Sequence, residues 1–418
     1  MKISSSSKIR GQIVPPPDKS ISHRMLLFSS ISTGKCTVHN LLRSEDTLRT
    51  MNFIKSIGAF VKDEGERIVI IPPVKLQEPS FPIDCGNSGT TSRIGMGLLA
   101  RENFFSVLYG DESLSKRPMK RVVKPLSALG AKFDGRNNAS NLPLSIRGGN
   151  LHSTRYVSEL SSAQVKSAFI FAALSAEGES IYVENVQSRD HTEKFLSQFD
   201  LIKKDGNELK IIPGDIPAFT FEVVGDFSSA AFFLVLSIIH SNARLKINRV
   251  GLNPTRTGLL KVLKRMGGNI EIEKEEGVEP VGNIVAESSE LKGTEVLPEE
   301  IPSMVDEVPL IALLGAFAEG ETVVHGASEL RKKESDRIEA TVNILKKMGA
   351  NIEGLEDGFR VRGKTPLHGA KVKSFGDHRM AMLASIAGVC SDGVEIEDAE
   401  CVSISYPAFF SDLKGVME

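Results

Sequence analysis

The 418-residue sequence predicts an α/β (α+β) protein built from repeats. Three observations lead there. One unit returns six times along the chain: a cluster of Ser, Asn, Asp or Gly, a helix rich in Ala, Leu and Phe, a Gly-centred turn and a short strand, often followed by a second helix that stops at Gly. Helices alternate with short strands, which demands layered packing of both. The length exceeds one ordinary core, so two domains are expected.

The elements can be justified in order. Pro15-Pro16-Pro17 hold an extended approach, because each proline fixes its own φ and disfavours helix at the preceding residue. Asp18 is then a good N-cap for a helix opening at Lys19-Ser20 and carrying Met25, Leu26, Leu27 and Phe28. A turn at Thr33-Gly34-Lys35 leads to a strand at Cys36–Val38, and a second helix from Thr47 to Ile57 to strands near Phe60–Lys62 and Arg67–Ile71. The second copy opens at Cys85-Gly86-Asn87-Ser88-Gly89-Thr90-Thr91, with its second helix from Met119 to Leu129. The third opens at Leu160-Ser161-Ser162-Ala163-Gln164 and turns at Glu177-Gly178-Glu179 into Ser180–Glu184. The fourth opens at Gly225-Asp226-Phe227-Ser228-Ser229, the fifth near Met304-Val305-Asp306, and the sixth at Phe375-Gly376-Asp377-His378-Arg379.

Composition removes several classes of function. Lys and Arg number 51 against 53 Asp and Glu, a net charge of −2, so no global basic field draws the chain to nucleic acid. Trp is absent and Tyr numbers 4, a poor supply of platforms for stacked bases. The most apolar runs, Ala230–Ile239 and Leu310–Ala318, fall short of the roughly 20 residues that span a bilayer, so they read as buried helices and no membrane association is expected. Met1 to Arg10 lacks an apolar core, so no signal peptide is expected. Cys36, Cys85, Cys390 and Cys401 are scattered, suggesting neither a disulfide framework nor a zinc site. A cytoplasmic protein with reduced thiols is expected.

The helix starts suggest chemistry. At Lys19, Ser20 and Arg24, backbone N–H groups, the positive end of the helix dipole, an ammonium, a hydroxyl and a guanidinium converge. That set suits a phosphate or carboxylate. Six such starts make the chain a candidate holder of small anions.

Seven motifs sharpen this: Asp18-Lys19-Ser20-Ile21-Ser22-His23-Arg24, Gly86-Asn87-Ser88-Gly89-Thr90-Thr91, Lys116-Arg117-Pro118-Met119, Ser162-Ala163-Gln164-Val165-Lys166-Ser167-Ala168, Ser188-Arg189-Asp190-His191-Thr192, Lys333-Glu334-Ser335-Asp336-Arg337 and Gly376-Asp377-His378-Arg379. In this order, and with the tail Tyr406-Pro407-Ala408-Phe409-Phe410, the sequence resembles the 5-enolpyruvylshikimate-3-phosphate synthase family of enolpyruvyl transferases over essentially its whole length. The resemblance implies two similar domains of three βαβαββ repeats each, with the active-site cleft between them. Residues 1–17 plus 226–418 would form domain I and residues 18–225 domain II. It implies transfer of the enolpyruvyl group of phosphoenolpyruvate to the 5-hydroxyl of shikimate 3-phosphate, with release of phosphate, on the route to chorismate and aromatic amino acids. No metal or cofactor is implied, and a monomer is expected.

The same resemblance places phosphoenolpyruvate on Lys19, Gly89, Arg117, Gln164, Arg337 and Arg379. Shikimate 3-phosphate falls to Lys19, Ser20, Arg24, Ser162, Gln164, Ser188, Asp306 and Lys333. The catalytic groups would be Asp306, taking the hydroxyl proton, Glu334, delivering a proton to the methylene carbon, and Lys19. Arginine suits such a site because its planar fork meets carboxylate and phosphate with two parallel bonds. At Gly89 a missing Cβ lets substrate approach the helix start. Four positions depart from the best-known branch: Ala163 for Ser, His191 for Tyr, Glu329 for Asn and Ile404 for Lys. Three other readings are weighed. A transferase acting on a UDP-linked amino sugar would have Asn at Ser20 and a reactive Cys near Asp111–Arg117. An RNA 3′-phosphate cyclase would need a nucleophilic His. A nucleic-acid module using Lys116–Lys124 and Arg331–Lys333 would bind in a strongly salt-dependent way.

Overall fold

The computed structural model describes residues 1–418. The chain forms two compact units, one from Met1–Pro16 and Val224–Glu418, the other from Pro17–Val223. It is a mixed α/β fold with six small sheets, five of four strands and one of three. No helix is long and apolar enough to cross a membrane.

The four-stranded sheets share one order. In the unit Pro17–Val223, Cys36–His39 pairs parallel with Thr220–Glu222 and antiparallel with Arg67–Ile71, which pairs antiparallel with Phe60–Asp63. The sheets built on Phe105–Tyr109 and on Ser180–Glu184 repeat that pattern. In the other unit, Ala243–Gly251 and Glu321–Val324 are the corresponding strands. The sixth sheet is shorter. Val394–Glu397 pairs parallel with Ala370–Lys373, but the antiparallel side is filled by Lys2–Ile3 rather than by a hairpin. The repeat is therefore incomplete in its last copy.

Each unit is organised around three apolar helices. Every residue of Phe227–Ile239 and of His378–Val389 is buried, and these two helices pack against each other and against Val308–Phe317. Helices buried all round read as apolar on every face, which is why Ala, Leu, Ile and Phe dominate these stretches. In the other unit, Lys19–Ser29, Gly89–Leu99 and Ala163–Ala173 play this part. The last two cross so closely that a Cβ on Gly97 would lie 2.0 Å from the carbonyl oxygen of Ala168. Only glycine fits there.

Four of these six helices begin under a side-chain cap. Asp18 accepts from the Ile21 N–H, Ser88 from Thr91, Asp226 from Ser228 and Asp377 from Arg379. The helix at Val308–Phe317 differs from its sequence expectation. It starts after Asp306, with Glu307 in the N-cap position, so Asp306 is not a cap.

The chain passes from one unit to the other at two points that lie together. The Asp226 N–H donates to the Pro16 carbonyl at 2.8 Å.

Candidate active site

In the unit Pro17–Val223, Lys19 opens a helix fixed by its Asp18 cap, and Arg24 stands one turn beyond Ser20. Lys19 Nζ lies 3.0 Å from Asp46 Oδ2. Arg24 is 2% exposed. Its Nε donates to Thr192 Oγ1 at 2.8 Å, Nη1 to the Ser20 carbonyl at 2.9 Å and Nη2 to Ser167 Oγ at 3.0 Å. Those bonds hold the guanidinium in one pose, so Arg24 is a built feature of the helix start and not a solvated surface arginine. His23, fully buried, pairs through Nδ1 with Thr50 Oγ1 at 2.7 Å. Thr50 continues to Thr91, and Thr91 to the capping Ser88, at 2.6 and 2.7 Å. A chain of hydroxyls thus links the helix start of Lys19 to the helix start of Gly89. Burial pushes the His23 imidazole down to about 3, against the opposing pull of Asp46, so it is neutral.

Around Gly89 the cations crowd. A Cβ there would sit 3.3 Å from Arg93 Nη1 and 3.6 Å from Arg117 Nη1. Arg117 is 8% exposed and ends the short helix Glu112–Lys116. Its Nη2 donates to Asn87 Oδ1 at 2.5 Å and to Ser113 Oγ at 3.2 Å. Gln164 is oriented from both ends: its Oε1 accepts from Arg93 Nη1 at 2.8 Å and its Nε2 donates to Thr90 Oγ1 at 3.0 Å. Ser162 stands in the N-cap position of Ala163–Ala173, but its hydroxyl makes no cap bond. Ser188 is buried, on the loop after Ser180–Glu184.

In the other unit, Asp306 sits among four cations. Arg337 Nη1 lies 3.1 Å from Oδ1 and Lys333 Nζ 3.7 Å from it, while Arg256 Nη1 and Arg379 Nη2 each lie 3.8 Å from Oδ2. Arg337 is 1% exposed and engaged on all three nitrogens. Nε donates to Asp377 at 2.8 Å, Nη1 to Asp306 at 3.1 Å and Nη2 to Glu334 at 2.7 Å. Burial opposes its charge, but those carboxylates outweigh it and raise the guanidinium above its ordinary value. Asp377 is fully buried; the Arg337 guanidinium overcomes the burial that would raise it and leaves it below the usual carboxylate range. By capping its helix through the Arg379 N–H and gripping Arg337, Asp377 ties two of the expected binding residues together.

Of the residues expected from sequence, Lys19, Ser20, Arg24, Gly89, Arg117, Ser162, Gln164 and Ser188 lie in the unit Pro17–Val223, and Asp306, Lys333, Glu334, Arg337 and Arg379 in the unit of Met1–Pro16 and Val224–Glu418. Within each, the residues fall at helix starts or the loops leading to them. Sequence reading missed Asp46, Arg93, Arg256 and a role for Asp377. Of these only Asp377 carried a signal, lying inside a quoted motif.

The comparisons decide the family. A family model described as EPSP synthase (3-phosphoshikimate 1-carboxyvinyltransferase) matches residues 3–413. The chain belongs to the EPSP synthase family. It is 48% identical over 421 residues to a 3-phosphoshikimate 1-carboxyvinyltransferase of Thermotoga neapolitana, covering 100% of both chains. It is 46% identical to one of Bacillus pumilus, covering 99% of both. The EPSP synthase of Acinetobacter baumannii has the same fold, with a TM-score of 0.88 at 36% identity, over 100% of this chain and 98% of that one. The enolpyruvyl transferase NikO of Streptomyces tendae, with a TM-score of 0.77 at 14% identity, shares the fold over 99% of this chain and 96% of its own. As an EPSP synthase, the chain is a transferase of the shikimate pathway.

Proposed function

We propose that this chain transfers the carboxyvinyl group of phosphoenolpyruvate to the 5-hydroxyl of shikimate 3-phosphate, with the two units as the two domains of the family. Asp306 is the observation that carries the assignment of roles: a carboxylate with Arg256, Lys333, Arg337 and Arg379 within 4 Å, in a chain whose family match runs from residue 3 to 413. A carboxylate held in one pose by fixed cations is placed to take a proton from a bound hydroxyl. Asp306 takes the 5-hydroxyl proton as that oxygen attacks C2 of phosphoenolpyruvate. Glu334 gives a proton to the methylene carbon, which becomes a methyl group. The C2–O bond then breaks, phosphate leaves with that oxygen and its electron pair and takes up the hydroxyl proton from Asp306, and the methyl group returns one proton to Glu334, so that no net redox change occurs. Lys19 is a second group able to carry a proton there.

Phosphoenolpyruvate lies on Lys19, Gly89, Arg117, Gln164, Arg337 and Arg379. Shikimate 3-phosphate lies on Lys19, Ser20, Arg24, Ser162, Gln164, Ser188, Asp306 and Lys333. The chain works as a monomer in the cytoplasm, and sedimentation should give one species near 45.4 kDa.

The test is phosphate release from phosphoenolpyruvate with shikimate 3-phosphate or UDP-N-acetylglucosamine as acceptor. Release with shikimate 3-phosphate alone, lowered by about a hundredfold or more in Asp306→Asn, is expected for loss of a general base. Release with the UDP-sugar alone, or an undiminished Asp306→Asn, would overturn the reading.

A further inference from the structure

Lys166 has no place in the chemistry above, yet it is a charged side chain with 0% exposure. It lies in the first turn of Ala163–Ala173, its N–H bonded to the Ser162 carbonyl at 3.0 Å. The ammonium makes three contacts: Glu184 Oε1 at 2.6 Å, Glu193 Oε1 at 2.5 Å and the Ser188 carbonyl at 3.4 Å. Glu184 in turn holds Ser188 twice. Its Oε1 accepts from the Ser188 N–H at 3.2 Å and its Oε2 from the Ser188 hydroxyl at 2.8 Å. A single buried cation therefore joins the helix that starts at Ser162 to the end of strand Ser180–Glu184, the loop carrying Ser188, and the helix His191–Ser197, where Glu193 lies.

Such a cluster is expensive as structure alone. Three ionisable groups are taken from water, and a buried ion pair is commonly no better for stability than apolar residues of the same size. Its cost calls for a use, and its geometry offers one. Ser162 and Ser188, both assigned above to shikimate 3-phosphate, stand on two different elements, and the Lys166–Glu184 pair joins those elements.

We propose that Lys166 and Glu184 are positioning residues that fix the Ser188 loop against the helix start of Ser162, and so set the grip on shikimate 3-phosphate without touching it. This rests on the reading of Ser188 and Ser162 given above. Glu193 serves differently. Its Oε1 lies 2.5 Å from the ammonium but it makes no contact with Ser188, so an amide, whose oxygen can still accept from Lys166, should stand in for it.

Initial rates of phosphate release, with each substrate varied in turn, test this. In Glu184→Leu, KM for shikimate 3-phosphate should rise about tenfold or more, the worth of one hydrogen bond to a charged group, while KM for phosphoenolpyruvate stays within about twofold. Glu193→Gln should leave both constants unchanged, although it too removes one acidic group from the cluster. Should Glu184→Leu fail to fold, Glu184→Asp keeps the charge but withdraws it by one methylene, and should show the same split at about threefold. Equal rises in the two KM values, a fall in kcat alone, an effect of Glu193→Gln matching that of Glu184→Leu, or no change in Glu184→Asp would each overturn the proposal. Wild-type turnover with unaltered variants would sink the positioning role alone. Wild type inert towards shikimate 3-phosphate would remove the functional reading and this inference with it.

Discussion

Lowering the pH from 7 to 5 should loosen the helix Lys19–Ser29 through His23. The imidazole is fully buried and its value is pushed from an ordinary 6.5 down to about 3. Because the folded value lies below the unfolded one, the unfolded chain binds the extra proton between those limits. Stability therefore falls as the pH drops below about 6.5 and stops falling near 3. Each pH unit in that window costs about 1.4 kcal/mol, so the step from pH 7 to 5 costs about 2 kcal/mol from this one group. The groups opposing it do not change the sign: Asp46 and Asp18 favour the charged form, while Lys19 and Arg24 disfavour it. His23→Asn keeps a polar atom facing Thr50 Oγ1 and cannot be protonated. Hydrogen exchange of peptides covering Lys19–Ser29, corrected for intrinsic rates, should show the wild type losing about 2 kcal/mol more protection than the variant over that step. Equal losses in the two proteins would refute the reasoning.

Other expectations follow from single contacts. Gly97→Ala places a Cβ 2.0 Å from the Ala168 carbonyl oxygen, and should cost about 3 kcal/mol in urea unfolding as the two helices separate. Arg337→Met leaves Asp377, Glu334 and Asp306 without their shared cation, and should lower stability by about 3–5 kcal/mol and abolish measurable phosphate release. Arg24→Lys cannot reproduce the fork on Thr192, Ser167 and the Ser20 carbonyl, and should raise KM for shikimate 3-phosphate by about tenfold with little change in KM for phosphoenolpyruvate.

Local features were readable from the chain. Helix starts carry their signals within a few residues: Asp18 accepts the N–H bond expected of a cap, and the clusters holding Ser88 and Asp377, read as helix openings, supply caps of the same kind. The spacing of Ser20 and Arg24 placed them on one face, and Nη1 of Arg24 does reach the Ser20 carbonyl. Partners supplied from far away were not readable. Asp46 meets Lys19 across 27 residues, Asp377 meets Arg337 across 40, and Arg93 meets Gln164 across 71. No periodicity encodes such pairs; they arise only when elements distant in sequence pack. The departures from the family pattern fall on ordinary supports. Ala163 is the first residue of its helix, His191 is buried where another helix opens, Glu329 lies 3.7 Å from Lys332, and Ile404 closes a short 3-10 turn. The shortened sixth sheet was also missed, because two residues at Lys2–Ile3 are too few to show a strand pattern.

That sheet has a bearing on how the protein is made. The N-terminal amine donates to the Ile396 carbonyl, 395 residues away, and Ile9 bridges Met417. Leaving the ribosome at about 5–20 residues per second, the first strand waits roughly 20–80 s for its neighbour. For a little under the second half of that interval Pro17–Val223 already has every strand of its own three sheets. The unit Pro17–Val223 can fold during translation, while the other unit is completed only once Val394–Glu397 has emerged. The unpaired strand Lys2–Ile3 is followed by Ser4-Ser5-Ser6-Ser7-Lys8, a polar stretch that stays well solvated in the meantime.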